Sequence, residues 1–183
     1  MPADRPPGTM FLRQAGRIVL SSIREADARA SQRMITYRRI STRDREYARE
    51  IELRNRVLRL PLGLSLSEQD LRDEDEQVHL VAVDDGGAVI GCVLVSFPEN
   101  GAKIRQIAVD GPYRGRGIGS ELLLRAEQAV RCRDIRTVKL HARVGARGYF
   151  EQRGYRAVSG VFTEVTIPHI AMEKDLAPPL NDT

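Results

Sequence analysis

The stretch Arg114-Gly115-Arg116-Gly117-Ile118-Gly119-Ser120 decides the fold, because it joins a strand pattern before it to a helix pattern after it. Apolar residues recur with helical spacing from Ile118 to Ala129, which predicts an amphipathic helix whose first amides lack acceptors within the helix. Three glycines keep the backbone accessible, while two arginines and the helix dipole favour an anion. The stretch therefore predicts a turn into a helix N-terminus that holds the pyrophosphate of a nucleotide-type cofactor.

Two other glycine-rich phosphate motifs do not match this stretch. A Walker A loop needs Gly-Lys followed by Ser or Thr, and the dinucleotide fingerprint GxGxxG differs from the GxGxG spacing found here. An alternative in which the glycines serve only a tight strand-to-helix turn stays open.

Three antiparallel strands are predicted ahead of the loop. Residues 78–83 and 89–97 are apolar and β-branched, and Asp84-Asp85-Gly86-Gly87 between them is a strong hairpin signal. Asn100-Gly101 then predicts a second tight turn into a strand over residues 102–109.

The alternation of apolar residues in the third strand slips at Arg105 and Gln106. A β-bulge explains the slip, and an irregular edge is an equal alternative. A bulge would splay the strand and create a slot where an extended ligand arm bonds to the main chain.

The beginning of the domain reads as a strand over residues 34–40 and a helix from a Ser41/Asp44 capping box to about Leu58. On this helix the pattern predicts an apolar face of Ala48, Ile51, Asn55 and Leu58, and exposed charges at Arg43, Arg45, Glu50 and Arg54. A second box, Ser67 to Asp70, opens an acidic segment at residues 73–76, which is interpreted as a solvated helix end.

Composition narrows the class of protein. The chain has 183 residues, 42% of them hydrophobic, which fits one domain, and its net charge of +4 with 5% aromatics argues against nucleic-acid binding. His79, His141 and His169 are too scattered to predict a metal, and Cys92 and Cys132 are expected to be buried reduced thiols. Because no stretch is long and apolar enough to span a membrane, a cytoplasmic protein is expected.

The expected organisation is a flexible N-terminal extension at residues 1–33, a single domain at residues 34–177 and a flexible tail at residues 178–183. An amphipathic targeting peptide is the alternative for the Arg-rich extension, but Asp4, Glu25 and Asp27 count against it.

The loop and the strand before it resemble the acetyl-CoA motif of the GNAT acetyltransferases, Q/R-x-x-G-x-G/A after a bulged strand. The resemblance covers residues 34 to about 175 and includes the order of elements. It implies an α/β (α+β) GNAT fold, a mixed, mostly antiparallel sheet of about six or seven strands with a splayed central pair and flanking helices. It also implies acetyl-CoA as cosubstrate, held by Ile107, Ala108, Val109, Arg114, Gly115, Arg116, Gly117, Ile118, Gly119 and Ser120.

Two segments further along carry the candidate catalytic residues. Residues 146–155 resemble the family's A-x-x-F-Y-x-x-x-G-F helix with the aromatic order reversed, so that Phe150 stands where a proton-donating Tyr is usual and Tyr149 precedes it. Glu164-x-x-x-Pro168-His169-x-x-Met172 resembles a branch of small, mostly uncharacterised acetyltransferases. Glu164 and His169 are candidates for a base, or for a hydrogen-bonded pair that stabilises the final strands.

The resemblance implies direct attack of an acceptor amine on the acetyl thioester, with the backbone N–H near Val109 as donor to the carbonyl. The expected partner is an amine of unknown identity, without nucleic acid or membrane, and a homodimer is left open. A catalytically silent acetyl-CoA-binding module is the alternative function, since Phe150 has no proton to give.

Overall fold

The computed structural model describes residues 34–176. Seven strands and three α-helices follow one another as β1 (Thr36–Ile40), α1 (Arg45–Arg54), β2 (Val78–Val83), β3 (Val89–Ser96), β4 (Ala102–Val109), α2 (Ile118–Arg131), β5 (Thr137–Arg143), α3 (Arg147–Glu151), β6 (Arg156–Glu164) and β7 (Ile167–Asp175). The extension and tail expected at the two ends lie outside the described residues, so the division into three parts stays a prediction.

The seven strands form one sheet in the order β1-β2-β3-β4-β5-β7-β6. All neighbours are antiparallel except β4 and β5, which are parallel and pair only through Ala102–Val138, Lys103–Lys139 and Ile104–Leu140. Beyond these three pairs no register joins β4 to β5. The predicted mixed sheet with a splayed central pair is confirmed.

The predicted bulge in β4 is also confirmed. Cys92 on β3 pairs with Ala108, but Leu94 pairs with Arg105, so β4 carries one residue more than the strand that it faces. Gln106 at this point has a φ of 51°, a left-handed backbone that is uncommon for a residue with a side chain. The bulge therefore bends β4 just before the strand reaches the loop.

Helix α2 packs against β2, β3 and β4 through Ile118, Leu122, Leu123, Ala126 and Val130, all of them buried. Each of the larger side chains, the two leucines, the isoleucine and the valine, contributes about 1.5–3 kcal/mol by leaving water. Gly91 on β3 lets the start of the helix approach closely, because a Cβ there would lie 3.0 Å from both Ile118 Cγ2 and Leu122 Cδ1. This contact fixes the loop that precedes α2 against the end of β4.

The prediction for the faces of α1 is wrong in part, although Arg43 and Arg45 are exposed as expected. Its buried residues are Glu46, Glu50, Leu53 and Arg54, whereas Ala48 is exposed. Glu74, which was expected in a solvated segment, is also buried. The physical reason is that these charged side chains have partners in other segments, which the apolar pattern cannot anticipate: Arg54 pairs with Glu74, Glu50 with His79 and Glu46 with Arg38.

Several element bounds also differ from the sequence prediction. Helix α1 continues as a π-helical segment, Asn55–Arg59, and a 3₁₀ turn, Leu60–Leu62, which ends at Gly63 with a φ of 70°. The apolar pattern predicts a closing strand over residues 161–165, whereas β6 begins at Arg156, because a register shift between Ala157 and Val161 interrupts the alternation. The helix predicted from Ala146 to Gly154 is a 3₁₀ turn followed by the short α3.

Both cysteines are free, as predicted, but only Cys92 is buried. Cys132 is exposed at the C-terminal end of α2, where it is the C-cap residue. Within residues 34–176 no helix has both the length and the apolar character needed to cross a membrane.

Candidate active site

The loop after β4 has a backbone that only glycine adopts easily. Gly115 and Gly117 have φ angles of 75° and 80°, in the left-handed region. No heavy atom lies within 4 Å of the position that a Cβ would occupy at either residue, so this side of the backbone is open. Arg114 folds back towards the strand, where its Nε donates a hydrogen bond to the Val109 carbonyl at 3.1 Å.

Helix α2 begins directly at this loop, at Ile118, where the helical spacing of apolar residues also begins. The first hydrogen bond of the helix runs from the Glu121 amide to the Gly117 carbonyl at 3.0 Å. The amides of Ile118, Gly119 and Ser120 precede it and have no acceptor within the helix. An open glycine backbone, a helix N-terminus and exposed arginines at 114 and 116 fit a pyrophosphate group.

A cavity of about 560 Å³ lies where β4 and β5 diverge. It is lined by Ile107, Ala108, Val109 and Arg114 of the predicted cofactor site, whereas residues 115–120 are not among its lining residues. The three predicted catalytic residues, Tyr149, Glu164 and His169, all line it. The cavity therefore joins the end of the loop to the candidate catalytic groups.

His141 is the cavity residue whose importance sequence reasoning missed. Its Nδ1 lies 3.0 Å from Glu164 Oε2 and 3.2 Å from Lys103 Nζ. Alternation along β5 could have indicated it, because residues 139, 141 and 143 share the sheet face opposite to Val138, Leu140 and Ala142 in the main core. From the sequence alone, His141 is one of three scattered histidines, each more often structural than a metal ligand.

Glu164 gives His141 a defined orientation. Nδ1 can donate its proton to Glu164 or accept one from the Lys103 ammonium, but not both. When it donates to Glu164, the lone pair of Nε2 is left available as a base. No hydrogen bond from the described part of the chain engages Nε2. Burial lowers the pKa of the neighbouring Lys103 ammonium, Glu164 opposes that shift and Arg105 adds to it.

His169 does not pair with Glu164, so the interpretation of the two as a structural pair is wrong. The Nδ1 of His169 instead donates to the Ile167 carbonyl at 3.0 Å, and its ring stacks on Phe162 with centroids 6.3 Å apart. The Phe162 ring also contacts His141 edge-on, with ring centroids 4.9 Å apart. Glu164 contacts β5 through His141, although β7 lies between β5 and β6 in the sheet.

Tyr149 and Phe150 have different surroundings. Phe150 is buried and packs edge-on against Tyr149 and Tyr155, as a core residue does. The Tyr149 hydroxyl lies 3.4 Å from Ser120 Oγ at the first turn of α2, and the Arg153 guanidinium stacks 3.7 Å from its ring centroid. Tyr149 therefore places a phenol at the junction of the cavity and the loop.

Comparison with known proteins identifies the family. Residues 65–176 match the model of the acetyltransferase (GNAT) domain. The chain belongs to the GNAT acetyltransferase family. A Bacillus subtilis protein that is named provisionally as an acetyltransferase is 30% identical over 114 residues, 62% of this chain and 76% of that protein.

Two solved structures support the fold of this GNAT chain. An acyl-CoA N-acyltransferase from Pseudomonas aeruginosa is 26% identical, with a TM-score of 0.67 and coverage of 77% of this chain and 99% of that one. A protein from Lactobacillus plantarum, provisionally named an N-acetyltransferase, is 23% identical, with a TM-score of 0.70 over 78% of this chain and 99% of its own. The second likeness concerns the fold alone.

The cavity of this GNAT chain carries an excess of positive charge. Five basic side chains line it, against two carboxylates, and the basic residues are Arg59, Lys103, Arg105, Arg114 and Arg143. Burial lowers the pKa of Arg143, and repulsion from Arg59 and Arg114 lowers it further. The site therefore has a positive potential beyond that of the glycine loop.

A second group of charges lies buried between α1 and the sheet. Arg54 forms two hydrogen bonds with Glu74, at 2.6 and 2.9 Å, and a third with the bulge residue Gln106 at 3.2 Å. His79 contacts Glu50 through Nδ1 and the Glu74 carbonyl through Nε2, both at 2.8 Å. Burial alone would lower the pKa of His79, but the hydrogen bond and charge of Glu50 raise it overall. Through Arg54, this group of charges is also bonded to the bulge in β4.

Proposed function

We propose that this chain transfers an acetyl group from acetyl-CoA to the amine of an acceptor that enters the cavity between β4 and β5. The observation that carries the proposal is the continuity of two features. The glycine backbone at the start of α2 suits a pyrophosphate, and the strand end that leads into it also lines the cavity with the candidate catalytic side chains. A donor anchored at the loop would thus reach the catalytic groups along β4.

The donor contributes an activated thioester, and the chain contributes its orientation. The first-turn amides of α2 and the side chains of Arg114 and Arg116 would hold the pyrophosphate. The exposed backbone near the bulge would hold the extended arm, and the N–H near Val109 would polarise the thioester carbonyl. The acyl-CoA named for the Pseudomonas aeruginosa relative supports a donor of this kind.

The amine must be neutral when it attacks, which requires a base in the cavity. His141 Nε2 would take the proton, directly or through a water molecule, while Glu164 holds the other ring nitrogen. Glu164 acts here as a positioning residue, rather than as the base expected from sequence. His169 would support the Phe162 ring that packs against His141.

The leaving sulfur needs a proton, and Tyr149 is the proposed donor. Its hydroxyl is beside the first turn of α2, whereas Phe150 is occupied in the core. This location favours an enzyme over a catalytically silent binding module, because a phenol is present although it occupies the neighbouring position. Orientation of the two substrates in one cavity would supply much of the remaining acceleration.

Gly117→Glu tests the donor site. The substitution would place a carboxylate beside the first-turn amides, so we expect acetyl-CoA affinity to fall at least 100-fold in a calorimetric titration. Gly63→Glu is the matched control, since Gly63 also has a left-handed φ and open space at its Cβ position. It should cause similar strain and leave affinity unchanged. Equal affinity of a folded Gly117→Glu variant and the wild type would refute the donor site.

A further inference from the structure

We infer that the acceptor is a small amine that also carries a carboxylate or a phosphate, and that Arg143 binds this anionic group. The inference rests on the proposed function, and it adds the chemical class of the acceptor. It starts from the unequal charges of the cavity and from the position of Arg143 on β5, two residues beyond His141.

Both carboxylates that line the cavity already have partners. Glu164 is engaged by His141. Asp70 accepts hydrogen bonds from the amide and hydroxyl of Ser67, at 2.9 and 2.7 Å, and lies 3.5 Å from Arg59. Within residues 34–176, neither carboxylate forms a hydrogen bond or an ion pair with Arg143. The positive charge on this side of the cavity is therefore not balanced by the described chain.

The guanidinium of Arg143 has more hydrogen-bond donors than the described residues engage. Its Nη2 donates to the Leu58 carbonyl at 3.2 Å, which holds the side chain against the π-helical segment. Its other guanidinium N–H groups have no hydrogen-bond partner among residues 34–176. A planar guanidinium with adjacent free donors matches the two oxygens of a carboxylate or phosphate.

The spacing of the two residues suits a small bifunctional acceptor. His141 and Arg143 lie on the same face of β5, and two residues of a strand span roughly 6–7 Å. An amine beside His141 Nε2 would thus have its anionic group within a few bonds' reach of Arg143. Arg114, in contrast, follows β4 and belongs to the loop assigned to the donor pyrophosphate.

Electrostatics favours the same class of acceptor. Burial lowers the pKa of Arg143 most, repulsion from Arg59 and Arg114 lowers it further, and an anion bound there would relieve that repulsion. A polyamine or a lysine-rich peptide would meet like charge in the cavity. The same positive potential would lower the pKa of the acceptor's ammonium, and so supply the neutral amine that the reaction needs.

Matched acceptors test the inference through the release of CoA. The panel pairs glycine with glycinamide, β-alanine with β-alaninamide, and phosphoethanolamine with ethanolamine. For the wild type, we expect at least one anionic member to have a kcat/KM 10-fold or more above that of its neutral partner. In Arg143→Gln that acceptor should lose about 10- to 100-fold, while its neutral partner and the KM for acetyl-CoA stay unchanged.

Two further variants separate the contact from a general effect of charge or folding. Arg143→Lys keeps the charge and should recover part of the loss, and Arg125→Gln removes a remote exposed arginine that pairs with Glu121 and should change nothing. Faster turnover of the neutral amines, or equal losses for both members of a pair in Arg143→Gln, would overturn the inference and leave the proposed function standing. Binding of acetyl-CoA without turnover of any amine would overturn the proposed function itself.

Discussion

Two groups of charged side chains in this molecule differ in the balance of their positive and negative charges. The buried cluster, Glu50, Arg54, Glu74 and His79, joins two cations to two carboxylates, with the His79 pKa raised towards the charged form. The cavity cluster, Lys103, His141, Arg143 and Glu164, is partly exposed and has more cations than carboxylates. Paired charges of this kind hold segments of the fold together, whereas unpaired donors at a cavity are available to a substrate.

Two further side chains, Tyr47 and Gln106, form hydrogen bonds with the buried cluster. Tyr47 donates to Glu74 at 2.9 Å, and its burial, together with this hydrogen bond, raises the pKa of Tyr47 to about 12. Arg54 reaches the side chain of Gln106, the residue that forms the bulge. The buried cluster thus contacts β4 at its bulge, and the cavity cluster lies where β4 and β5 diverge.

His141→Gln should have the largest effect, and it should fall on catalysis. Loss of the base is expected to lower kcat/KM by about 10²–10⁴-fold, with unchanged KM for acetyl-CoA, because the ring does not belong to the loop. Glu164→Gln should cost less, since it disturbs only the orientation of the ring. A larger loss in Glu164→Gln than in His141→Gln would instead make the carboxylate the base. Steady-state kinetics of both variants, with a thermal unfolding scan, decides between them.

Arg54→Met should have the next largest effect, and it should fall on stability. Removing the guanidinium leaves Glu74 buried without its countercharge, which costs about 3–5 kcal/mol in the free energy of unfolding. The double variant Arg54→Met/Glu74→Leu should recover much of this, because no unpaired charge then remains. Urea unfolding measures both. A single variant within about 1 kcal/mol of the wild type would contradict the structural role of the buried cluster.

The sequence predicts well those parts of the molecule whose backbone conformation is determined by residues that are neighbours in the chain. The glycine loop is contiguous, and its left-handed residues are the glycines themselves. The hairpin at residues 84–87 and the bulge at Gln106 also leave their marks within a few positions, as a turn signal and a slip in alternation. In each case the residues that determine the geometry are neighbours in the chain.

The charged clusters could not be predicted in this way. Arg54 and Glu74 are 20 residues apart, Glu50 and His79 are 29 apart, and His141 and Glu164 are 23 apart. A charged residue on α1 normally faces water, and nothing near it in the sequence indicates a partner from another segment. The same reasoning explains why the sequence suggests a hydrogen bond between Glu164 and His169, which are close in the chain. The fold instead brings Glu164 to His141.

Amine-dependent release of CoA from acetyl-CoA tests the account most directly. The full chain is incubated with acetyl-CoA and a panel of amines, free thiol is followed with a chromogenic reagent, and products are examined by mass spectrometry. The account predicts thiol release that depends on the amine, together with an N-acetylated product. Acetyl-CoA binding without amine-dependent release would contradict it, and would leave a catalytically silent acetyl-CoA-binding module.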